Sequence, residues 1–158
     1  MFPSVLPLRE VLVLLENRET RACFDAIAEE LRALGEGVAI HEDRSPVMRS
    51  PMSFLAKADH LRQEITLNGC YLDGVDAFRR DKTRAFLVHH ELFHLWAAQN
   101  ALRVNGLHWK RLIDSQEERT ADALALFCVC LMQAQREATP GLRRSILPTS
   151  SLVATAFA

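Results

Sequence analysis

The pentapeptide His90-Glu91-Leu92-Phe93-His94 constrains this chain more than any other feature. It lies in a stretch with helical periodicity, where Phe86, Leu87, His90, His94, Ala97 and Ala101 share one face. The apolar members turn that face toward a core, so two imidazoles go with it. They sit about 6 Å apart along the axis, one turn from each other. Both can reach a single tetrahedral ion. Glu91 projects beside them, where a carboxylate serves a water rather than the ion.

Two histidines do not complete a catalytic zinc site, which takes three protein ligands and leaves one position open. The third must come from another element packed on the same face. A second helical stretch, about Ser115 to Glu137, offers Glu117, Glu118 and Asp122. Glu118 and Asp122 are spaced i, i+4, and Ala121 and Ala125 flank them with small side chains that permit close approach. Glu118 follows His94 by enough chain for one helix to end, turn and return antiparallel. Glu118 is therefore assigned as third ligand. Asp122 is assigned to hold a ligand histidine's tautomer through a hydrogen bond. The plainer alternative is a solvated acidic pair, Glu117/Glu118, at a helix start.

The remaining histidines lack ligand spacing. His89 points about 100° away from His90 around the helix. His41 and His60 are ordinary surface residues on this reading. His108, in the loop between the two helices, is a candidate oxyanion or substrate contact, and so is Tyr71 at the sheet edge. For both, a structural role is the alternative.

The rest of the chain reads as α+β. Val5 to Leu15 and Phe24 to Leu34 carry helical spacing, with Thr20 as N-cap and Gly35 and Gly37 as the stop. Val38–His41, Ser53–Ala58 and Gln63–Leu67 read as the strands of a small three-stranded sheet spanning Gly37 to Tyr71. Asn68-Gly69 and Asp73-Gly74 are turn signals. The motif helix is expected from about Lys82 to Arg103, with Asp81 as N-cap and Asn105-Gly106 as the stop. Residues 1–140 form one domain, and 141–158 a tail that either docks or stays mobile.

Composition narrows the function classes. At 158 residues, 49% of them hydrophobic, the chain can build a core without disulfide staples. A net charge of −1 gives no basic surface for nucleic acid or an anionic membrane. Cys23, Cys70, Cys128 and Cys130 form no C-x-x-C pair and are expected to be reduced, buried thiols. No run reaches a membrane span, and the N-terminus lacks the basic start of a signal peptide. From these features a cytoplasmic location is expected.

A Zn²⁺ ion held by His90, His94 and Glu118 acidifies a water and polarises a carbonyl, and Glu91 serves as general base. Amide hydrolysis is the expected reaction. A hydrolase for another substrate, or a silent peptidase-like module that binds or senses a protein, are the alternatives; the intact Glu91 argues against the silent module.

The order of helix, small sheet, H-E-x-x-H helix and E-x-x-A-[ND] helix resembles the ImmA/IrrE-type zinc metallopeptidases. These are thermolysin-like gluzincins. The similarity rests on His90 to His94, on Glu118-Arg119-Thr120-Ala121-Asp122-Ala123-Leu124-Ala125, on Leu131-Met132, on Arg79-Arg80 and on Ile65-Thr66-Leu67-Asn68. It covers Ala22 to about Met132. It implies a zincin-like domain with an antiparallel pair of metal-ligand helices. It also implies zinc on His90, His94 and Glu118, Glu91 as base, and a helix-turn-helix repressor as protein substrate. Phe93 stands where the family prefers glycine, which leaves it either narrowing the cleft or packing in the core. Asp122 replaces the commoner asparagine, Gln133 replaces a proline, and the family's usual fused DNA-binding domain is not in this sequence.

Overall fold

The computed structural model describes residues 13, 16–100 and 110–137, without the side chains of 110–117, 119 and 137. The stretch Val5 to Leu15 (apart from Val13), the Asn105-Gly106 stop, His108 and the tail 141–158 lie outside the described residues. Within them the architecture is α+β. In chain order it has α1 (Arg18–Gly35), β1 (Ala39–Asp43), a 3-10 turn (Pro46–Arg49), β2 (Ala56–Asp59) and β3 (Glu64–Asn68). Then follow α2 (Gly69–Gly74), α3 (Ala77–Gln99) and α4 (Lys110–Glu137). No helix among the described residues is long and apolar enough to cross a membrane.

The sheet is mixed, in the order β1-β3-β2. β3 runs parallel to β1, with Ile65 beside Ile40, and antiparallel to β2, with Ala58 beside Ile65. The central position follows from alternation: Ile65 and Leu67 are fully buried, while Glu64 and Thr66 turn to the other face. Asp59 turns the chain from β2 to β3 by accepting from the backbone of Leu61 and Arg62 at 3.0 and 3.1 Å. Gln63 completes that turn with φ 54°, a left-handed conformation that costs a non-glycine residue about 1 kcal/mol.

α3 packs on the sheet, and α1 and α4 pack on α3 and on each other. α1 buries Phe24, Ile27 and Leu31 at helical spacing. α3 packs against α1, α4, β2 and β3, so it is the hub of the fold. α4 is buried on every side from Thr120 to Cys130, as an apolar helix in a core must be. Phe93 is fully buried and stacks on Trp96 with ring centroids 5.8 Å apart, which settles its role as packing. Trp96 in turn donates its indole N–H to Glu30 on α1.

Several boundaries differ from the sequence expectation. α1 is capped by Asn17, whose Oδ1 accepts from the N–H groups of Glu19 and Thr20; Thr20 is buried inside the helix. α3 begins at Ala77 with Asp76 as its cap, five residues before the expected start at Lys82 with Asp81 as cap. Tertiary ion pairs hold that polar first turn: Arg80 reaches Asp73 at 3.1 Å and Arg84 reaches Glu42 at 3.1 Å. Arg44 closes the cluster on Glu42 and Asp73 at 2.7 and 2.9 Å, and these guanidinium contacts hold both carboxyls below their usual range. α4 begins at Lys110 rather than Ser115. Tyr71 lies on α2, not at the sheet edge.

Asn68-Gly69 starts that short helix instead of making a free turn. The buried Asn68 side chain accepts from Tyr71 N–H at 2.9 Å as the α2 cap. Its amide donates to the carbonyls of Met48 and Phe54 and to Ser53 Oγ, at 2.9 to 3.1 Å. One side chain thus ties the loop leading into β2 to the end of β3. Asn68→Ala removes the cap and the amide's three hydrogen bonds, leaving the Met48 carbonyl with Ser53 Oγ alone, so chemical denaturation should show a loss of about 2–3 kcal/mol. A loss under about 0.5 kcal/mol would contradict this role.

Candidate metal centre

The antiparallel packing of α3 on α4 sets His94 opposite Glu118 and His90 opposite Asp122. Ala121 and Ala125, both fully buried, allow the close approach that the sequence predicts. The ring centroids of His90 and His94 are 4.9 Å apart, with their Nε2 atoms at 3.2 Å. Glu118 bridges them: Oε2 lies 3.0 Å from His90 Nε2, and Oε1 lies 3.0 Å from His94 Nε2. One ligand atom from each of the three residues falls within a 4.8 Å group. For metal bonds of about 2.0–2.1 Å in tetrahedral geometry, neighbouring ligand atoms stand roughly 3.3 Å apart. The Nε2–Nε2 spacing of 3.2 Å is close to that edge length, and each Nε2 has a different Glu118 oxygen at 3.0 Å.

Asp122 fixes the chemistry of the cluster. Its Oδ1 lies 2.7 Å from His90 Nδ1, so Nδ1–H donates to it and the Nε2 lone pair faces Glu118 and His94. The Nε2 atoms of both imidazoles and the Glu118 carboxylate then face one point. Such an arrangement is held by a shared cation, either protons on the imidazoles or a metal ion. Asp122 is buried, and its Oδ2 has no hydrogen-bond partner among the described residues. Glu91, Glu118 and Asp122 together surround the histidines with negative charge, which a dication would offset. The donor set therefore fits Zn²⁺ in both geometry and charge.

The electrostatics follow from burial and these neighbours. Burial pulls the His90 imidazolium down, but the Asp122 hydrogen bond and charge, joined by Glu91 and Glu118, outweigh it and raise the pKa above the ordinary 6.5. Burial raises the Glu91 carboxyl, and the charge of Glu118 adds to this; His90, His94 and a hydrogen bond from the Ala58 backbone N–H oppose it, and the net is upward. His89 is a different case. It turns away, bonds the Ala85 carbonyl at 2.7 Å, and burial lowers its pKa. His41 lies 4.0 Å from Glu64 on the sheet surface.

These groups line a cleft of about 480 Å³ between α3, α4 and β2. His90, His94, Glu91, Glu118 and Asp122 all open onto it, as the sequence reading expects. Tyr71 is not among its lining residues; it packs against the core instead. His108 lies outside the described residues. All four cysteines are free, Cys23 and Cys70 half-buried, and burial pushes the thiols of Cys128 and Cys130 up to about 12. None of the four lines the cleft.

The residues that sequence reasoning misses are on β2. This is an edge strand, and Leu55, Ala56, Lys57 and Ala58 border the cleft. The Leu55 carbonyl accepts from Asn68 N–H at 2.8 Å, so residues 55 and 57 direct their backbone groups to β3. Ala56 and Ala58 then direct theirs outward, into the cleft. The Ala58 N–H is used by Glu91; the carbonyls of both alanines and the Ala56 N–H remain turned to the open edge. The sequence marks a strand here, but its edge position depends on β1 pairing with β3, a non-local contact.

In the metal-free protein, the His90–Asp122 pair contributes stability below pH 6.5 that is lost as pH rises through the raised folded pKa. An NMR titration should place His90 above 6.5, and Asp122→Asn should lower it, since the hydrogen bond and charge that oppose burial are weakened. An unmoved midpoint would contradict the assigned contact.

Comparison with protein families, curated proteins and solved structures finds no match to this chain.

Proposed function

We propose that this protein is a zinc-dependent metalloendopeptidase with a zincin-like domain. The observation that carries the reading is the convergence of His90, His94 and Glu118 on one point, with Glu91 in the same cleft. Zn²⁺ bound there would acidify a water and polarise a carbonyl. Glu91 takes the water's proton, a task suited to a carboxyl raised by burial. The water oxygen bonds to the carbonyl carbon. Glu91 then returns the proton to the amide nitrogen as the C–N bond breaks, giving an acid and an amine. Asp122 keeps His90 in the tautomer that presents Nε2.

The edge strand supports a peptide over a small molecule as substrate. Outward-facing backbone groups on Ala56 and Ala58 can hold an extended chain by strand addition, beside the base. The resemblance to ImmA/IrrE-type peptidases directs the substrate proposal to a helix-turn-helix repressor in the cytoplasm. Incubation with the repressor encoded nearest this gene should give cleavage that a chelator abolishes. Glu91→Gln should lower the rate by about 10²–10⁴ while the metal stays bound. Cleavage by Glu91→Gln at the wild-type rate would overturn the mechanism. Chelator-insensitive binding without cleavage would favour the silent protein-binding module.

A further inference from the structure

Resting on the peptidase reading, we infer that Lys57 selects an acidic side chain on the substrate residue that pairs opposite it. Ala56 and Ala58 stand beside Leu67 and Ile65, whose side chains are fully buried, so their methyl groups face the helices. Lys57 stands beside Thr66 and projects from the other face, exposed to solvent. Its backbone groups are directed at β3, so an antiparallel strand added on the open edge forms its hydrogen bonds with Ala56 and flanks Lys57 with a non-hydrogen-bonded pair. In such pairs the Cα atoms approach to about 4.5 Å, the closest contact two strands make. The substrate side chain at that position therefore lies directly beside the ammonium group.

Nothing among the described residues pairs with that ammonium. No ion pair involves Lys57. The nearest acid along the strand on that face, Asp59, is engaged by the backbone of Leu61 and Arg62 in its own turn. A carboxylate arriving on the substrate would be its first partner, whereas a lysine or arginine there would be repelled.

A lysine on an edge strand also blocks edge-to-edge pairing between molecules. That role alone leaves substrate preference untouched, which makes the two roles separable. The test is digestion of a randomised decapeptide library by the zinc-loaded protein, with every cleaved product sequenced by mass spectrometry. The wild type, Lys57→Ala and Lys57→Glu are compared; each alters only an exposed side chain. The inference predicts roughly two- to fivefold enrichment of Asp and Glu at one position for the wild type. Lys57→Ala should abolish it, and Lys57→Glu should replace it with enrichment of Lys and Arg at the same position. Higher salt should weaken both preferences. Cleavage with the same profile in all three proteins overturns the role of Lys57 and leaves the peptidase reading intact. No cleavage by any of them overturns the peptidase reading and this inference with it.

Discussion

The register between α3 and α4 governs the rest of this structure. Once His94 faces Glu118 and His90 faces Asp122, three donor atoms meet and one imidazole is oriented by a buried acid. A shift by a single turn would set His94 opposite Asp122 and His90 opposite the apolar Leu126, so the three donors would no longer meet and one imidazole would lose its acid. Ala121 and Ala125 permit the approach, and the fully buried stretch of α4 holds it. The site is therefore a product of core packing rather than of a loop. His90, His94 and Glu118, the proposed ligands, come from two helices rather than a loop, which favours precise geometry.

Burial is uneven across the cluster, and the unevenness makes chemical sense. The side chains of His90 and Asp122 are 15% and 5% exposed, while that of Glu118 is 70% exposed. The inner pair fixes orientation in a low-dielectric setting. The outer carboxylate lies at the cleft mouth, where water and a substrate can enter. Glu91 lies between these regimes, raised by burial yet linked to the strand that borders the cleft through the Ala58 N–H. Glu91, the proposed base, is thus tied to the element proposed to hold the substrate.

Much of this was legible in the sequence because it rests on local periodicity. The i, i+4 spacings of His90/His94 and Glu118/Asp122 place each pair on one helix face, and the structure brings both faces together. Alternation at Ile65 and Leu67 marks the buried strand. What was not legible depends on contacts far apart in the chain. The first turn of α3 has no apolar pattern and is held by Glu42 and Asp73 through arginines. Asn68 caps a helix because its amide also finds carbonyls twenty and fourteen positions away. The edge position of β2 follows from the parallel pairing of β1 with β3. Phe93 carried two readings until Trp96 and the core around it were seen.

The claim on which the proposed chemistry stands is that His90, His94 and Glu118 hold one metal ion. Elemental analysis of protein purified without chelators, then dialysed, measures it directly. One equivalent of zinc per chain is expected for the wild type, and close to none for His94→Ala, with the fold of both verified by circular dichroism. A wild-type protein that holds no zinc after supplementation, or a His94→Ala variant that retains a full equivalent, would contradict it.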